Sequence, residues 1–292
     1  HANLIPWQIL ARRIGATLRW IPLDDDGRLV LDGLDSIVNE RTRVLAFQHA
    51  SNVTGLVHPV ARLVEQAKAV GALTVLDACQ SVPHLPVDFS ALGVDFAGFS
   101  AHKMLGPTGI GALYGRRELL NALPPATYGG STIKTVTMTE TTWLDAPARF
   151  EPGSQPVVQA IGFAAAIRYL SDLGMAKVTA HDARLADRLR NGVSSIEGVR
   201  LLGPIGGGSD HVLGLAAFSV EGVHPHDVGQ VLDDAGIAVR VGHHCAQPLH
   251  ARLGVQSSTR ASTHVYTSEG DIDGLLEALS GVRRFFRVVG NS

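Results

Sequence analysis

SAHKMLGPTG, residues Ser100–Gly109, is a polar stretch that lies between two short apolar runs. The run before it ends at Phe99 and the run after it covers Ile110–Tyr114, and both are typical of short buried strands. We therefore predict a tight loop between two strands of the core. The two glycines and the proline of the stretch are expected to adopt the unusual backbone angles that such a loop needs.

Lys103 is the chemically notable residue of this loop. A lysine held beside a serine and a histidine can form an imine with an aldehyde. The alternative is a lysine in a solvated turn, and these residues alone favour neither interpretation. Ser100 and His102 flank the lysine and are candidates to bind a phosphate group, although histidines before a lysine are also often plain loop residues.

Outward from the loop, short apolar strands alternate with helices. Strands are predicted at residues 18–22, 43–48, 73–76, 94–99, 110–114, 212–219, 237–240 and 258–263. Helices are predicted at residues 4–14, 32–39, 59–70, 156–171, 175–196, 225–235 and 270–286. The segment 124–155 is rich in Pro, Gly and Thr and is predicted to be an irregular loop, of the kind that is functional or lies at an interface.

The alternation predicts an α/β fold with two domains. The large domain, residues 1–172, is expected to hold a mainly parallel sheet, and residues 173–292 are expected to form a smaller α+β domain. Ligands of such parallel sheets bind beyond the carboxyl ends of the strands. Six polar residues are expected at these ends: Asn52, Asp77, Gln80, Ser100, His102 and Lys103. This coincidence predicts a ligand site at that edge of the large sheet.

Composition excludes several classes of protein. The chain has 292 residues, 45% of them hydrophobic, and a net charge of −2, which gives no electrostatic case for binding nucleic acid or anionic lipid. No apolar run approaches the roughly 20 residues of a membrane span. Two cysteines make no disulfide framework and suit a reducing cytosol. Because the chain starts with His1 rather than Met, residue 1 is expected to be an interior position of a longer gene product.

Asp77 closes an apolar strand and precedes Gln80 by three residues. A helix N-cap aspartate is the common explanation of such a residue. A carboxylate there also suits a cationic partner such as a protonated pyridine nitrogen. One acid for the ring nitrogen and one lysine for the aldehyde are the recurring protein contribution to pyridoxal phosphate (PLP) chemistry. Together, Asp77 and Lys103 therefore predict a PLP site.

The run Arg240–Pro248, RVGHHCAQP, is the second notable motif. Its two histidines and Cys245 are candidates for zinc, but adjacent ligands do not match the usual spacing of zinc sites. A buried apolar Cys245 is a second alternative, although a Gly- and Pro-flanked loop suits it poorly. The preferred interpretation is a nucleophilic thiol activated by the neighbouring imidazoles and arginine. Cys79, by contrast, is interpreted as a packing residue.

Two further residues are candidates by their chemistry. Arg260 leaves a short predicted strand, and its guanidinium suits bidentate binding of a substrate carboxylate, with a structural ion pair as the alternative. His1 is a candidate to stack on an aromatic ring, with simple exposure as the alternative.

Three motifs together resemble those of a known family. Residues 77–80 (DACQ), 100–103 (SAHK) and 240–248 (RVGHHCAQP) are similar to the SufS-like, group II cysteine desulfurases, which are PLP enzymes of the class V aminotransferase group. The likeness runs from His1 to about residue 288, and the HHCA sequence is specific to the SufS-like branch. The resemblance implies the aspartate-aminotransferase-like fold type I of PLP-dependent transferases.

The resemblance implies a role for each candidate. Lys103 would hold the cofactor as an imine and later move protons, and Cys245 would attack the sulfur of L-cysteine, leaving alanine and an enzyme persulfide. The other implied roles are Asp77 on the pyridine nitrogen, Gln80 on the ring hydroxyl, His1 stacked on the ring, Ser100, His102 and Ser154 on the phosphate, Asn52 and Arg260 on the substrate carboxylate, and Arg240 at the mouth of the cysteine loop. Ser154 stands where the family usually has a threonine.

The resemblance also implies partners and a missing segment. Family members are homodimers that pass sulfur to a SufE- or SufU-like acceptor for iron–sulfur cluster assembly in the cytoplasm. They carry an N-terminal segment before the position of His1, with a helix start that binds the cofactor phosphate. This chain is therefore expected to bind PLP less well than its parent protein. A selenocysteine lyase with nearly identical residues, and a truncated non-catalytic scaffold, are the alternatives.

Overall fold

A computed structural model describes residues 1–206 and 210–286. The helices are α1 (Ile5–Ile14), α2 (Leu34–Ile37), α3 (Val60–Ala69), α4 (Phe89–Leu92), α5 (Arg117–Ala122), α6 (Val157–Leu173), α7 (Met175–Ser195), α8 (Pro225–Asp234), α9 (Gln247–Arg252) and α10 (Glu269–Phe285). The strands are β1 (Val44–Gln48), β2 (Leu73–Asp77), β3 (Phe96–Ser100), β4 (Gly111–Gly115), β5 (Ile133–Val136), β6 (Thr141–Trp143), β7 (Val199–Leu202), β8 (Leu215–Val220), β9 (Arg240–Gly242) and β10 (Ser258–Ser262).

The first sheet has the order β1-β2-β3-β4. Its first three strands run parallel, and β4 returns antiparallel to β3. The amphipathic helix α3 packs on this sheet, because Leu63 and Val64 join Leu76 and Ala97 in one buried cluster. Parallel strands that are covered by helices need apolar residues along most of their length, as β2 and β3 have.

The second sheet is antiparallel throughout, in the order β7-β8-β10-β9. Helices α7, α8 and α10 pack against it around Leu189, Phe218, Leu232 and Leu279, all of which are buried. A mainly parallel sheet followed by an antiparallel one with helices confirms the predicted α/β fold class. The domain boundary near residue 172 stays a prediction. Within the described part of the chain, none of the helices is both long and apolar enough to cross a membrane.

Most predicted elements are confirmed. The short helices α4, α5 and α9 were not predicted, and the strand predicted at 237–240 is found at Arg240–Gly242. There are four further differences. Residues 18–22 form no strand, and only an isolated bridge between Leu23 and Leu29 follows them. Strand β7 was not predicted. The segment 124–155 is not wholly irregular, because it contains the β5-β6 hairpin. Finally, β4 is not buried: it ends the strand order of the first sheet, and Leu113 remains 64% exposed.

Candidate active site

The first part of the site lies at the carboxyl ends of β1, β2 and β3. Gln48, Asp77 and Gly98 are in register across these strands, so that neighbouring Cα positions are about 4.8 Å apart. Asp77 is the last residue of β2, and its Oδ1 accepts a hydrogen bond from the backbone N–H of Cys79 at 3.1 Å. The carboxyl ends of the three parallel strands are therefore aligned as predicted, and Asp77 lies at this end of the sheet.

The lysine loop leaves this edge as a tight turn. Residues Ala101–Lys103 form a 3-10 helix directly after β3. The backbone N–H groups of Met104 and Gly106 both donate to the carbonyl of Ala101 at 2.9 Å. A Cβ at Gly106 would lie 2.9 Å from that carbonyl oxygen. Glycine is therefore needed here because the backbone passes close to Ala101, and not because of an unusual φ. Leu105, with φ of 64°, takes the left-handed conformation instead.

Cys79 lies between the acid and the lysine. Its Sγ is 3.8 Å from Ser100 Oγ. Burial and the Asp77 carboxylate raise the pKa of the Cys79 thiol, and the Lys103 ammonium opposes this shift. Both charged residues therefore act on the same half-buried sulfur. A raised thiol pKa disfavours the reactive thiolate, which agrees with the interpretation of Cys79 as a packing residue.

The acid and the amine fit the predicted PLP site. In the part of the chain that the structure describes, neither Asp77 nor Lys103 forms an ion pair, although both are half-buried. A half-buried carboxylate without a cation suits a protonated ring nitrogen, and a half-buried free amine suits an aldehyde. Gln80 follows Asp77 at the same edge and is also half-buried. These residue types and their placement match the cofactor.

Cys245 lies on an exposed loop between β9 and α9. The Nη2 of Arg240 donates to its Sγ at 3.4 Å. His244 and Cys245 have φ of 50° and 60°, so two successive residues with side chains take the left-handed conformation. The side-chain amide of Asn52, from the loop after β1, donates to the carbonyl of His244. The cysteine loop of the second sheet is thereby held at the edge of the first.

Arg240 and Arg260 form a pair of cations beside this thiol. They are directly opposite each other on β9 and β10. Among the described residues neither pairs with a carboxylate, and the buried Nε of Arg260 has no hydrogen-bond partner. Burial lowers the pKa of Arg260 to about 10, and Arg240 adds to the shift. Two adjacent guanidiniums without an acid indicate a site for an anion, such as a substrate carboxylate.

Arg260 also contacts Asn52, since its Nη1 donates to the Asn52 carbonyl at 2.8 Å. These contacts therefore connect four residues in one cluster: Cys245, Arg240, Arg260 and Asn52. The sequence did not predict that they are neighbours. The described residues contain no group of three or more His, Cys, Asp or Glu side chains arranged to hold a metal ion.

Three further predicted residues are His1, His102 and Ser154. The imidazole of His1 accepts a hydrogen bond from the backbone N–H of Gln247 at 3.2 Å, which places it on the cysteine loop. His102 and Ser154 are exposed, and among the described contacts neither side chain hydrogen-bonds to the lysine loop. Ring stacking by His1 and phosphate binding by Ser100, His102 and Ser154 stay predictions.

Two buried polar residues beneath Cys245, His250 and Ser258, were not predicted from the sequence. His244 and His250 both hydrogen-bond to the hydroxyl of Ser258, at 2.9 Å and 2.8 Å. Burial, together with the charge of Arg260, lowers the pKa of His244 to about 3. One signal was available: Ser258 precedes Arg260 by two residues on a strand, and the two therefore lie on the same face.

Comparison with known proteins agrees with this geometry. Residues 1–275 match the family described as aminotransferase class-V. A probable cysteine desulfurase 2 from Mycobacterium leprae is 56% identical over 98% of this chain and 68% of its own length. A probable cysteine desulfurase from Streptomyces coelicolor is 48% identical over the same shares.

A solved structure supports the same relationship. The apo structure of cysteine desulfurase from Thermococcus onnurineus NA1 superimposes with a TM-score of 0.92 at 38% identity, over 98% of this chain and 70% of that one. The fold, the family match and the relatives all agree. The chain therefore belongs to the class-V aminotransferase family, in its group of cysteine desulfurases.

Proposed function

We propose that this chain is a PLP-dependent cysteine desulfurase that converts L-cysteine to L-alanine and takes up the sulfur on Cys245. The observation that carries the proposal is the cluster around Cys245, in which an exposed thiol lies 3.4 Å from Arg240 and beside Arg260, whose Nε has no hydrogen-bond partner among the described residues. An amino-acid carboxylate and an attacking thiol are both accommodated there. The names of the relatives at 48–56% identity support the same activity.

The chain's own groups hold the cofactor and move protons. Asp77 at the end of β2 would keep the ring nitrogen protonated, and Gln80 would bind the ring hydroxyl. Lys103 would bind the aldehyde and, once released, carry a proton between Cα and Cβ of the substrate. When bound, PLP withdraws electrons from the substrate and so labilises the bond between Cβ and sulfur.

Residues of both sheets would orient the substrate, and the cysteine loop of the second sheet would take up the sulfur. Arg260 and Asn52 would hold the carboxylate, with Arg240 at the mouth of the loop. The Cys245 thiolate attacks the substrate sulfur, so that a sulfur–sulfur bond forms and the Cβ–sulfur bond breaks with its electron pair on carbon. Cβ is then protonated. Cysteine and one enzyme thiol thus give alanine and one persulfide.

The finer assignments rest on the family resemblance. We include in the proposal a SufS-like homodimer, to which the segment around Ser154 contributes a phosphate-binding hydroxyl. His1 would stack on the cofactor ring, and Ser100 and His102 would bind the phosphate. A SufE- or SufU-like protein would accept the sulfur for iron–sulfur cluster assembly in the cytoplasm.

Borohydride trapping tests the proposal. The protein incubated with PLP is expected to show a visible absorbance band, and borohydride should fix the cofactor on the peptide that contains Lys103. Added L-cysteine should then yield alanine and a persulfide on Cys245, both measurable by mass spectrometry. Cys245→Ser should abolish the persulfide, because it removes the accepting sulfur.

Cys79→Ser is the matched control, since Cys79 is a packing thiol, and it should keep persulfide formation. Alanine formed with a persulfide on Cys79, or cofactor trapped on a lysine other than Lys103, would contradict the assignment.

A further inference from the structure

The backbone of the cysteine loop is costly to maintain. His244 and Cys245 are successive residues with positive φ, a conformation in which the Cβ of an L residue approaches its own backbone. Glycine is the residue that adopts such angles readily. A loop of this kind persists only when surrounding contacts hold it in place. His244 lies beneath Cys245 and is only 1% exposed, and its hydrogen bonds are therefore candidates to hold the loop in place.

The directions of these hydrogen bonds follow from one fixed point. His250 Nδ1 lies 3.1 Å from the carbonyl of Ala246, and a carbonyl oxygen only accepts, so Nδ1 carries the proton. Burial lowers the pKa of His250, so the ring is neutral and its Nε2 has a lone pair. Ser258 therefore donates its single hydroxyl proton to His250 Nε2 at 2.8 Å.

That direction decides the state of His244. Because the Ser258 proton is used toward His250, Ser258 Oγ accepts from His244 Nε2 at 2.9 Å. His244 is thus the Nε2–H tautomer, and its buried Nδ1 has no hydrogen-bond partner among the described residues. The two histidines are in opposite tautomers. The Ala246 carbonyl fixes that of His250, and the Ser258 hydroxyl fixes that of His244 in turn.

The loop is consequently held from two sides. Ser258 holds the imidazole of His244 from β10, and Asn52 holds its backbone carbonyl from the loop after β1. Ser258 is directly opposite Gly242 on β9, which is three residues before Cys245. Arg240 donates to Cys245 only if the turn between them is kept.

We propose that Ser258 is a positioning residue that connects His250 to His244, fixes the Nε2–H tautomer of His244 and so presents the Cys245 thiol to Arg240. The proposal rests on the proposed function, in which Cys245 is the sulfur acceptor. Ser258 itself is fully buried, whereas Cys245 is exposed.

Nitrogen-15 NMR of histidine-labelled protein tests the hydrogen-bond directions between His250, Ser258 and His244 directly. We expect His244 to show a proton on Nε2 and His250 to show one on Nδ1, with the signals assigned by their loss in His244→Gln and His250→Gln. The same tautomer on both rings, or a proton on His244 Nδ1, would overturn the proposal. This measurement needs neither cofactor nor turnover.

A matched pair of variants tests the effect on the thiol. Ser258→Ala is expected to slow the alkylation of Cys245 by iodoacetamide about tenfold, the effect of one net hydrogen bond, because the loop then holds the sulfur less often beside Arg240. Ser258→Thr keeps the hydroxyl and should stay within about threefold of the parent protein. In desulfurase turnover, kcat should fall in Ser258→Ala while KM for cysteine changes less than about twofold.

Equal losses in Ser258→Ala and Ser258→Thr would show a packing effect and overturn the proposal, as would an unchanged alkylation rate in Ser258→Ala. Thermal unfolding midpoints of both variants exclude global unfolding as the cause. If Cys245→Ser keeps full turnover, the proposed function fails, whereas the tautomers and the alkylation rate still decide whether Ser258 positions Cys245.

Discussion

The surroundings of Arg260 are the clearest indication of an anion site in this protein. It is half-buried on β10, it lies opposite a second arginine, and its Nε has no partner among the described residues. Desolvation without a compensating acid is unfavourable for a guanidinium, as the lowered pKa of about 10 indicates. A bound carboxylate removes this penalty. The surroundings of Arg260 therefore suit a bound anion, in agreement with its proposed role on the substrate carboxylate.

Arg260→Lys should raise KM for L-cysteine and lower kcat/KM by about tenfold to a hundredfold. The ammonium keeps the charge but loses the planar fork that binds a carboxylate through two hydrogen bonds. Steady-state kinetics of alanine formation measures the change. Arg252→Lys is the control, since Arg252 pairs with exposed Asp25 away from the cluster. A KM that stays at the parent value in Arg260→Lys would assign the carboxylate to another residue.

Helix α7 connects the two sheets through one buried carboxylate. Asp182 accepts hydrogen bonds from the backbone N–H of Gly214 at 2.8 Å and from Thr263 Oγ1 at 3.3 Å. Its Oδ1 also lies 3.0 Å from the Nδ1 of His84, which follows β2 in the first half of the chain. A buried carboxylate with three partners costs little while all three remain.

Asp182→Ala should lower the free energy of unfolding by about 3 kcal/mol, because it leaves a buried N–H, a hydroxyl and an imidazole without their acceptor. Urea unfolding followed by circular dichroism measures the loss. Asp187→Ala on the same helix is the matched control, and since Asp187 is exposed, a change within about 0.5 kcal/mol is expected there. Similar losses in both variants would show that the helix, rather than the buried contact, is affected.

At the scale of the whole molecule, buried neutral histidines connect stability to pH. His58 lies near Gln48 at the edge of the first sheet, where the Gln48 amide nitrogen is 3.3 Å from His58 Nε2. Burial, with a contribution from His49, lowers the pKa of His58 to about 4. His244 and His264 have pKa values lowered to about 3 and about 4, also mainly by burial.

The folded protein should therefore lose stability in acid. Below about pH 6.5 the unfolded chain binds a proton on each of these histidines, whereas folded His58 stays neutral down to about pH 4. The loss due to His58 is on the order of 2 kcal/mol between about pH 6.5 and about pH 5. His58→Gln should remove that share of the slope in urea unfolding. Exposed His226→Gln should leave the slope unchanged, and a parental slope in His58→Gln would refute the assignment.

Local patterns predicted elements well where one face of an element is buried. The α3 helix and the parallel strands β1, β2 and β3 were found because their apolar periodicity reflects burial within the element itself. Strand β7 is short, and the β5-β6 hairpin is largely exposed, so neither has such a pattern. The strand predicted at 18–22 has apolar residues but pairs with no strand of the described chain.

The sequence by itself determined the alternation of elements, the lysine loop, the acid at the end of β2 and the cysteine motif, because each is written in a few consecutive residues. Only the tertiary structure decided that Asn52 contacts a loop 192 residues away, and that one serine hydroxyl lies between the imidazoles of two histidines. Contacts of this kind arise when separate sheets meet, and their partners leave no periodic signal along the chain. Contacts between the two sheets thus bring together the site residues that the sequence motifs predict separately.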